Sequence, residues 1–107
     1  MKTQFYYFAG CPSSEKALAN LKEALALERL SDTVETVEVT SAADAESCRF
    51  IGSPTIRIDG VDIEGPEAEE RGYGFGCRVY ADGASTRGWP SVDRIRQALR
   101  ARSSGTP

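Results

Sequence analysis

The stretch Thr3-Gln4-Phe5-Tyr6-Tyr7-Phe8-Ala9-Gly10-Cys11-Pro12-Ser13-Ser14-Glu15-Lys16-Ala17-Leu18 changes its hydrophobic period once, and that change decides the fold. Through Phe8 it is short and aromatic, which reads as a buried strand, and Ala9-Gly10 stops it in a tight turn. From Pro12 onward Ala17, Leu18, Leu21, Ala24, Leu25 and either Leu27 or Leu30 recur at helical spacing. Charged Glu15, Lys16, Lys22, Glu23, Glu28 and Arg29 fall mostly between them, so the spacing predicts an amphipathic helix of about five turns. Pro12 suits its first turn, where a missing N–H costs nothing.

Beyond this unit, Thr33–Val39 is β-branched with partial alternation and reads as a second strand. Ser41 precedes Asp44 by three positions, an imperfect capping box that opens a short helix through Phe50. Gly52-Ser53-Pro54 breaks that helix, and Thr55–Ile58 forms a third strand running into an Asp59-Gly60 turn. The glycine- and glutamate-rich stretch Val61–Gly76 is expected to be an irregular loop, with Glu64, Glu67, Glu69 and Glu70 as solvated surface. Cys77–Tyr80 is expected to be the fourth strand, closed by Asp82-Gly83. Pro90-Ser91 leads into a last helix, Val92–Arg102.

Strands joined through a helix must be parallel, whereas strands joined by a turn can be antiparallel. The order βαβα then ββα therefore predicts an α/β fold: a four-stranded mixed sheet with helices on both faces. At 107 residues the chain has the size of one domain, and 40% hydrophobic content is enough for one modest core. The domain is expected to span residues 1–102, with 103–107 as a frayed tail.

Thirteen basic against sixteen acidic residues, without a continuous basic run before the final helix, argue against nucleic acid as a partner. No apolar run approaches the ~18 residues of a membrane span, and no signal-like h-region follows Lys2, so the expected setting is cytoplasmic. Three scattered cysteines, at positions 11, 48 and 77, do not make the paired framework of a small secreted protein. There is no histidine, which removes Ser-His and Cys-His catalysis, most catalytic zinc sites and the usual near-neutral base. Chemistry here falls to cysteine, carboxylates, hydroxyls or the backbone, with no metal site or cofactor expected.

Cys11 stands where the strand gives way to the helix. Unpaired backbone N–H groups and the positive helix end face that position, and both favour thiolate over thiol. Ser14, three residues later, faces the same helix end, where its hydroxyl reaches either the sulfur or a local backbone group.

These residues resemble the thioredoxin and glutaredoxin superfamily, whose Cys-x-x-Cys motif occupies this boundary; here it reads Cys11-Pro12-Ser13-Ser14, with serine in place of the second cysteine. The resemblance implies a cis-proline facing the redox motif from the start of the third strand, and Ser53-Pro54-Thr55-Ile56 stands in its place. It further implies a thioredoxin-like fold, substrate contacts from Pro12, Ser53, Pro54 and Thr55, and a thiol or disulfide substrate, either a protein or glutathione. With Pro54 in that place, the Ser53 backbone is expected to be free to pair with the substrate.

A closer similarity is to the small DF family of thioredoxin-like proteins and selenoproteins. It rests on Gly10-Cys11-Pro12, Gly52-Ser53-Pro54-Thr55-Ile56, Ile58-Asp59-Gly60-x-Asp62 and Cys77-Arg78-x-Tyr80, with Ile63 where that family usually carries phenylalanine. Some of its members carry labels connected with organomercurial resistance.

Besides a structural or assembly role in which the fold is retained without chemistry, two functions compete on these residues. One is a monothiol oxidoreductase in which Cys11 attacks, Ser14 supports the sulfur, and an external thiol or Cys77 resolves the intermediate. The other is a non-catalytic module that holds a peptide, a thiol or a soft metal such as Hg²⁺ in the same groove. Cys48, on the short helix, reads as packing.

Overall fold

The computed structural model describes residues 2–30, 33–72, 76, 78–82 and 85–104. β1 (Thr3–Tyr7) is the aromatic strand, and it lies inside the sheet because both of its neighbours in space come from later segments. β2 (Val34–Glu38) pairs with it in parallel, Thr3 opposite Val34, and β3 (Thr55–Ile58) pairs antiparallel on the other side, Thr3 opposite Ile58. β4 (Val61–Asp62) closes the far edge against β3, giving a mixed sheet of order β2-β1-β3-β4.

The fourth strand is thus Val61–Asp62, inside the stretch expected to be loop, and Cys77–Tyr80 does not supply it. Asp59 and Gly60 both have positive φ, 54° and 83°, the geometry of a two-residue hairpin turn whose twist matches its strands. That turn sends the chain straight back beside β3 for two residues, too short a run for any hydrophobic period to register. A 3₁₀ segment, Pro66–Arg71, follows. Tyr80 opens β5 (Tyr80–Asp82), which pairs with β6 (Ser85–Arg87) in a separate two-stranded ribbon.

Alternation along β1 divides the core. Phe5 on one face meets Ile56 and Ile58 of β3, Ala17, Leu21, Ala24 and Leu25 of α1 (Ser14–Leu27), and Ile95 and Leu99 of α3 (Val92–Ser104). Tyr6, on the other face, packs with Val39, Phe50 and Ala45 of α2 (Ala42–Ser47). Helices therefore cover both faces, as a sheet with two apolar sides requires. Asn20 of α1 is buried and donates from Nδ2 to the carbonyl of Pro90 at 2.9 Å, tying the first helix to the approach to the last.

Local chemistry sets the helix ends. The Ser41 hydroxyl accepts from the Asp44 N–H at 3.0 Å, and the Asp44 carboxylate accepts from the Thr40 N–H at 3.0 Å, a capping box displaced by one residue. Ser91 caps α3 in the same way through the Arg94 N–H, 3.0 Å. α1 ends at Leu27, short of Leu30, in a Schellman arrangement in which Leu30 N–H donates to the Leu25 carbonyl at 2.9 Å and Arg29 N–H to that of Ala26 at 3.1 Å. Arg29 takes the left-handed position, φ 58°, that glycine usually holds, so no glycine marks the stop in the sequence. At the other end of the chain Ser103 and Ser104 continue α3, and residues 105–107 of the expected tail lie outside the described residues.

Among the described residues no helix is long and apolar enough to cross a membrane.

Candidate functional site

Cys11 closes a four-residue turn in which its own N–H donates to the Phe8 carbonyl at 3.2 Å. Gly10, third in that turn, has φ 90°, a conformation glycine adopts at no steric cost. α1 begins at Ser14 with Ser13 as its N-cap, so Pro12 sits in the approach to the helix and not in its first turn. Cys11 itself is buried, 7% exposed, while Ala9, Gly10 and Pro12 around it are exposed, which leaves the sulfur just under the surface.

The sulfur faces the start of β3. Cys11 Sγ lies 3.8 Å from the carbonyl oxygen of Ser53, to which the thiol donates, and the Ser53-Pro54 peptide bond is cis. Ser53 Oγ in turn accepts from the Phe8 N–H at 3.4 Å, so both ends of the turn that carries Cys11 touch Ser53. Pro54 and Thr55 are fully buried behind it. Cys11, Ser53 and Pro54, picked out separately in the sequence, thus come together.

Ser14 does not join them at the sulfur. Its hydroxyl donates to the Cys11 backbone carbonyl at 3.0 Å, the local bond open to a serine at this position, and holds the turn in place. A groove beside Ser14 is lined by Phe5, Tyr7, Glu15, Leu18 and Thr36, and Cys11 is not part of its lining.

Ser53 also differs from expectation, because its backbone is already paired. Its N–H donates to the Gly76 carbonyl at 2.8 Å, and its carbonyl accepts from the Arg78 N–H at 3.1 Å. Cys77, the second-thiol candidate, lies outside the described residues; its chain neighbours Gly76 and Arg78 are the two that bond Ser53. Trp89 packs against the main core and Cys48 against the smaller one. Burial, reinforced by Asp44 and opposed by Arg57, pushes the Cys48 thiol above its ordinary range.

What the sequence did not reveal is the polar cluster that holds Arg78. Its guanidinium reaches the two oxygens of Asp62 at 2.7 and 2.8 Å, Glu64 at 2.9 Å and Thr55 Oγ1 at 3.2 Å, and lies 4.3 Å above the Tyr80 ring. The cluster is buried, so Glu64 is a partner in an ion pair and not the free surface charge expected of it. Burial alone pulls the guanidinium down, but the bonds to Asp62 and Glu64 and the neighbouring Tyr80 outweigh it and the net shift is upward. Tyr80 adds a hydroxyl donated to the Pro54 carbonyl at 2.5 Å. The available signal was an arginine set among strand-forming residues, which needs a buried acid, and two acids spaced two apart at Asp62 and Glu64.

Among the described residues no group of three or more potential ligands is placed to hold a metal ion. The chain matches no known protein-family model, no curated protein and no solved structure.

Proposed function

We propose that this chain is a thioredoxin-like thiol–disulfide oxidoreductase that works through one thiol, Cys11. The observation that carries the reading is the contact between Cys11 Sγ and the Ser53 carbonyl, which joins the strand-to-helix turn to the start of β3. The sheet order β2-β1-β3-β4 with helices on both faces supports the fold assignment. Cysteine is also the one strong nucleophile left in a chain without histidine.

In the first step the Cys11 proton passes to water and the thiolate attacks one sulfur of a disulfide. A Cys11–sulfur bond forms, the substrate S–S bond breaks, and the second sulfur leaves with the electron pair and takes up a proton. An external thiol such as glutathione then attacks the Cys11-bound sulfur and releases Cys11 as thiolate. One cycle thus consumes one external thiol and leaves the first substrate sulfur in a mixed disulfide with it; attack by a second external thiol on that mixed disulfide completes the two-electron reduction of the substrate. Ser14 acts by holding the turn through the Cys11 carbonyl, and Ser53 by receiving the thiol before attack. The odd, scattered cysteines suit a reducing, cytoplasmic setting in which such a thiol is at hand.

Turnover of a small disulfide with glutathione as reductant tests the reading. Activity in the parent chain and none in Cys11→Ala is expected; activity that survives Cys11→Ala would sink it. The competing reading, a module that binds a thiol or a soft metal such as Hg²⁺ without turnover, has the 7% exposure of Cys11 on its side. It requires stoichiometric Hg²⁺ binding at Cys11 together with no disulfide turnover.

A further inference from the structure

We infer that the Arg78 cluster makes Cys11 a site for low-molecular-weight disulfides and closes it to extended peptide chains. The inference rests on the oxidoreductase reading above and names its substrate class. An extended chain docks beside a strand through main-chain hydrogen bonds, offering its N–H and C=O groups to those of the edge it joins. At the residue touching Cys11 both such groups are taken. The Ser53 N–H donates to Gly76 at 2.8 Å, and the Ser53 carbonyl accepts from the Arg78 N–H at 3.1 Å and, until the thiol ionises, from Cys11 at 3.8 Å.

This occupation is built in at several points. Arg78 is 5% exposed and Asp62 6% exposed, and their two-point ion pair fastens the residue after Cys77 to β4. Thr55 Oγ1 is bound by Arg78 Nη1 and itself donates to the Gly52 carbonyl at 2.6 Å, which extends the same cluster to the residue preceding Ser53. Gly52, φ 134°, lets the two backbones close up: a Cβ there would stand 2.8 Å from Arg78 Cβ. A peptide would have to strip Gly76 and Arg78 from Ser53 against all of these contacts. A small disulfide needs only to reach the sulfur of Cys11, whose chain neighbours Gly10 and Pro12 are exposed.

The test uses the full chain carrying Cys48→Ser and Cys77→Ser, so that Cys11 is its one thiol. Two mixed disulfides of 5-thio-2-nitrobenzoate are compared, one with 2-mercaptoethanol and one with the central cysteine of an extended eight-residue peptide. Each releases the same chromophore, and each rate is normalised to that substrate's reaction with free N-acetylcysteine. The peptide is expected to react about tenfold or more slower than the small disulfide, the factor that ~1.4 kcal/mol spent on displacing Gly76 and Arg78 from Ser53 produces. Asp62→Asn, which loosens the cluster, is expected to bring the ratio towards one by raising the peptide rate alone. Glu64→Gln does so more weakly and keeps both Asp62 bonds should Asp62→Asn fail to fold.

Hydrogen exchange supplies a readout independent of sulfur chemistry. The Ser53 and Arg78 amides are expected to be protected, and to stay so with excess peptide. Equal normalised rates in the parent background, or Ser53 and Arg78 amides exchanging like exposed loop amides, would overturn the inference and leave the oxidoreductase reading standing. No reaction with the small disulfide would overturn both.

Discussion

The two flanks of Ser53 are held in opposite ways. On the Arg78 side a charged group is buried under two carboxylates, a hydroxyl and an aromatic ring, with bonds of 2.7 to 3.2 Å. On the Cys11 side the sulfur makes one long contact of 3.8 Å and hangs on a turn whose Ala9, Gly10 and Pro12 are exposed. The asymmetry suits the proposed thiol chemistry. A thiol that must leave one partner to attack another gains from weak local bonds, whereas the surface that presents it gains from being fixed. Stability is concentrated beside the sulfur and not on it.

The strongest way to break this contrast is to unfold variants from each side in urea. Arg78→Met leaves Asp62 buried without its cation and is expected to cost about 3–5 kcal/mol. Cys11→Ala removes one small, weakly bonded sulfur and is expected to cost only about 1 kcal/mol. Equal losses would show that the two flanks are not held differently.

A smaller effect sharpens the difference between Cys11 and the other described thiol. Cys48 is half-buried behind α2, and its thiol is pushed up by burial and by Asp44, so it holds less thiolate at neutral pH than an ordinary cysteine. Alkylation by iodoacetamide, mapped by mass spectrometry between pH 6 and pH 10, is expected to label Cys48 more slowly near neutral pH than a free cysteine peptide. Cys48 labelling should rise only above the usual thiol range. Early labelling of Cys48 would mean that its packing does not protect it.

The smallest expected effect lies far from the site. Arg100 and Arg96 of α3 hold the Glu28 carboxyl below the usual carboxylate range, with Arg96 Nε at 2.7 Å. A carboxylate whose folded-state affinity for protons is lowered stabilises the fold above that range and loses the effect as pH falls through its folded value. Glu28→Gln is therefore expected to lower Tm slightly at pH 7, with the gap to the parent chain closing in acid and shrinking with added salt. A gap that does not change with pH would mean the ion pairs play no part.

Much of this architecture was legible in the residues. The aromatic run of β1, the helical period after Pro12, the Ser41 cap and the Asp59-Gly60 turn each carry a local signal strong enough to survive folding. β4 was not legible, because two residues carry no period and are a strand only through their register with Arg57 and Ile58. Tyr80 read correctly as a strand residue, but its membership of β5 depends on pairing with Arg87 and not on its own neighbours. At the site, Cys11 and Ser53-Pro54 stood out by residue type. Ser14's bond to the Cys11 carbonyl and the Arg78 cluster depend on distances the chain sets only when folded.

In the proposed reaction Cys11 is the reacting sulfur. Exposure of the parent chain to glutathione disulfide at neutral pH, followed by intact mass and peptide mapping, tests this most directly. A single glutathionyl group on Cys11, absent from Cys11→Ala and removed by excess reduced glutathione, is the predicted result. An adduct on Cys48 with Cys11 left free, or no adduct at all, would contradict it.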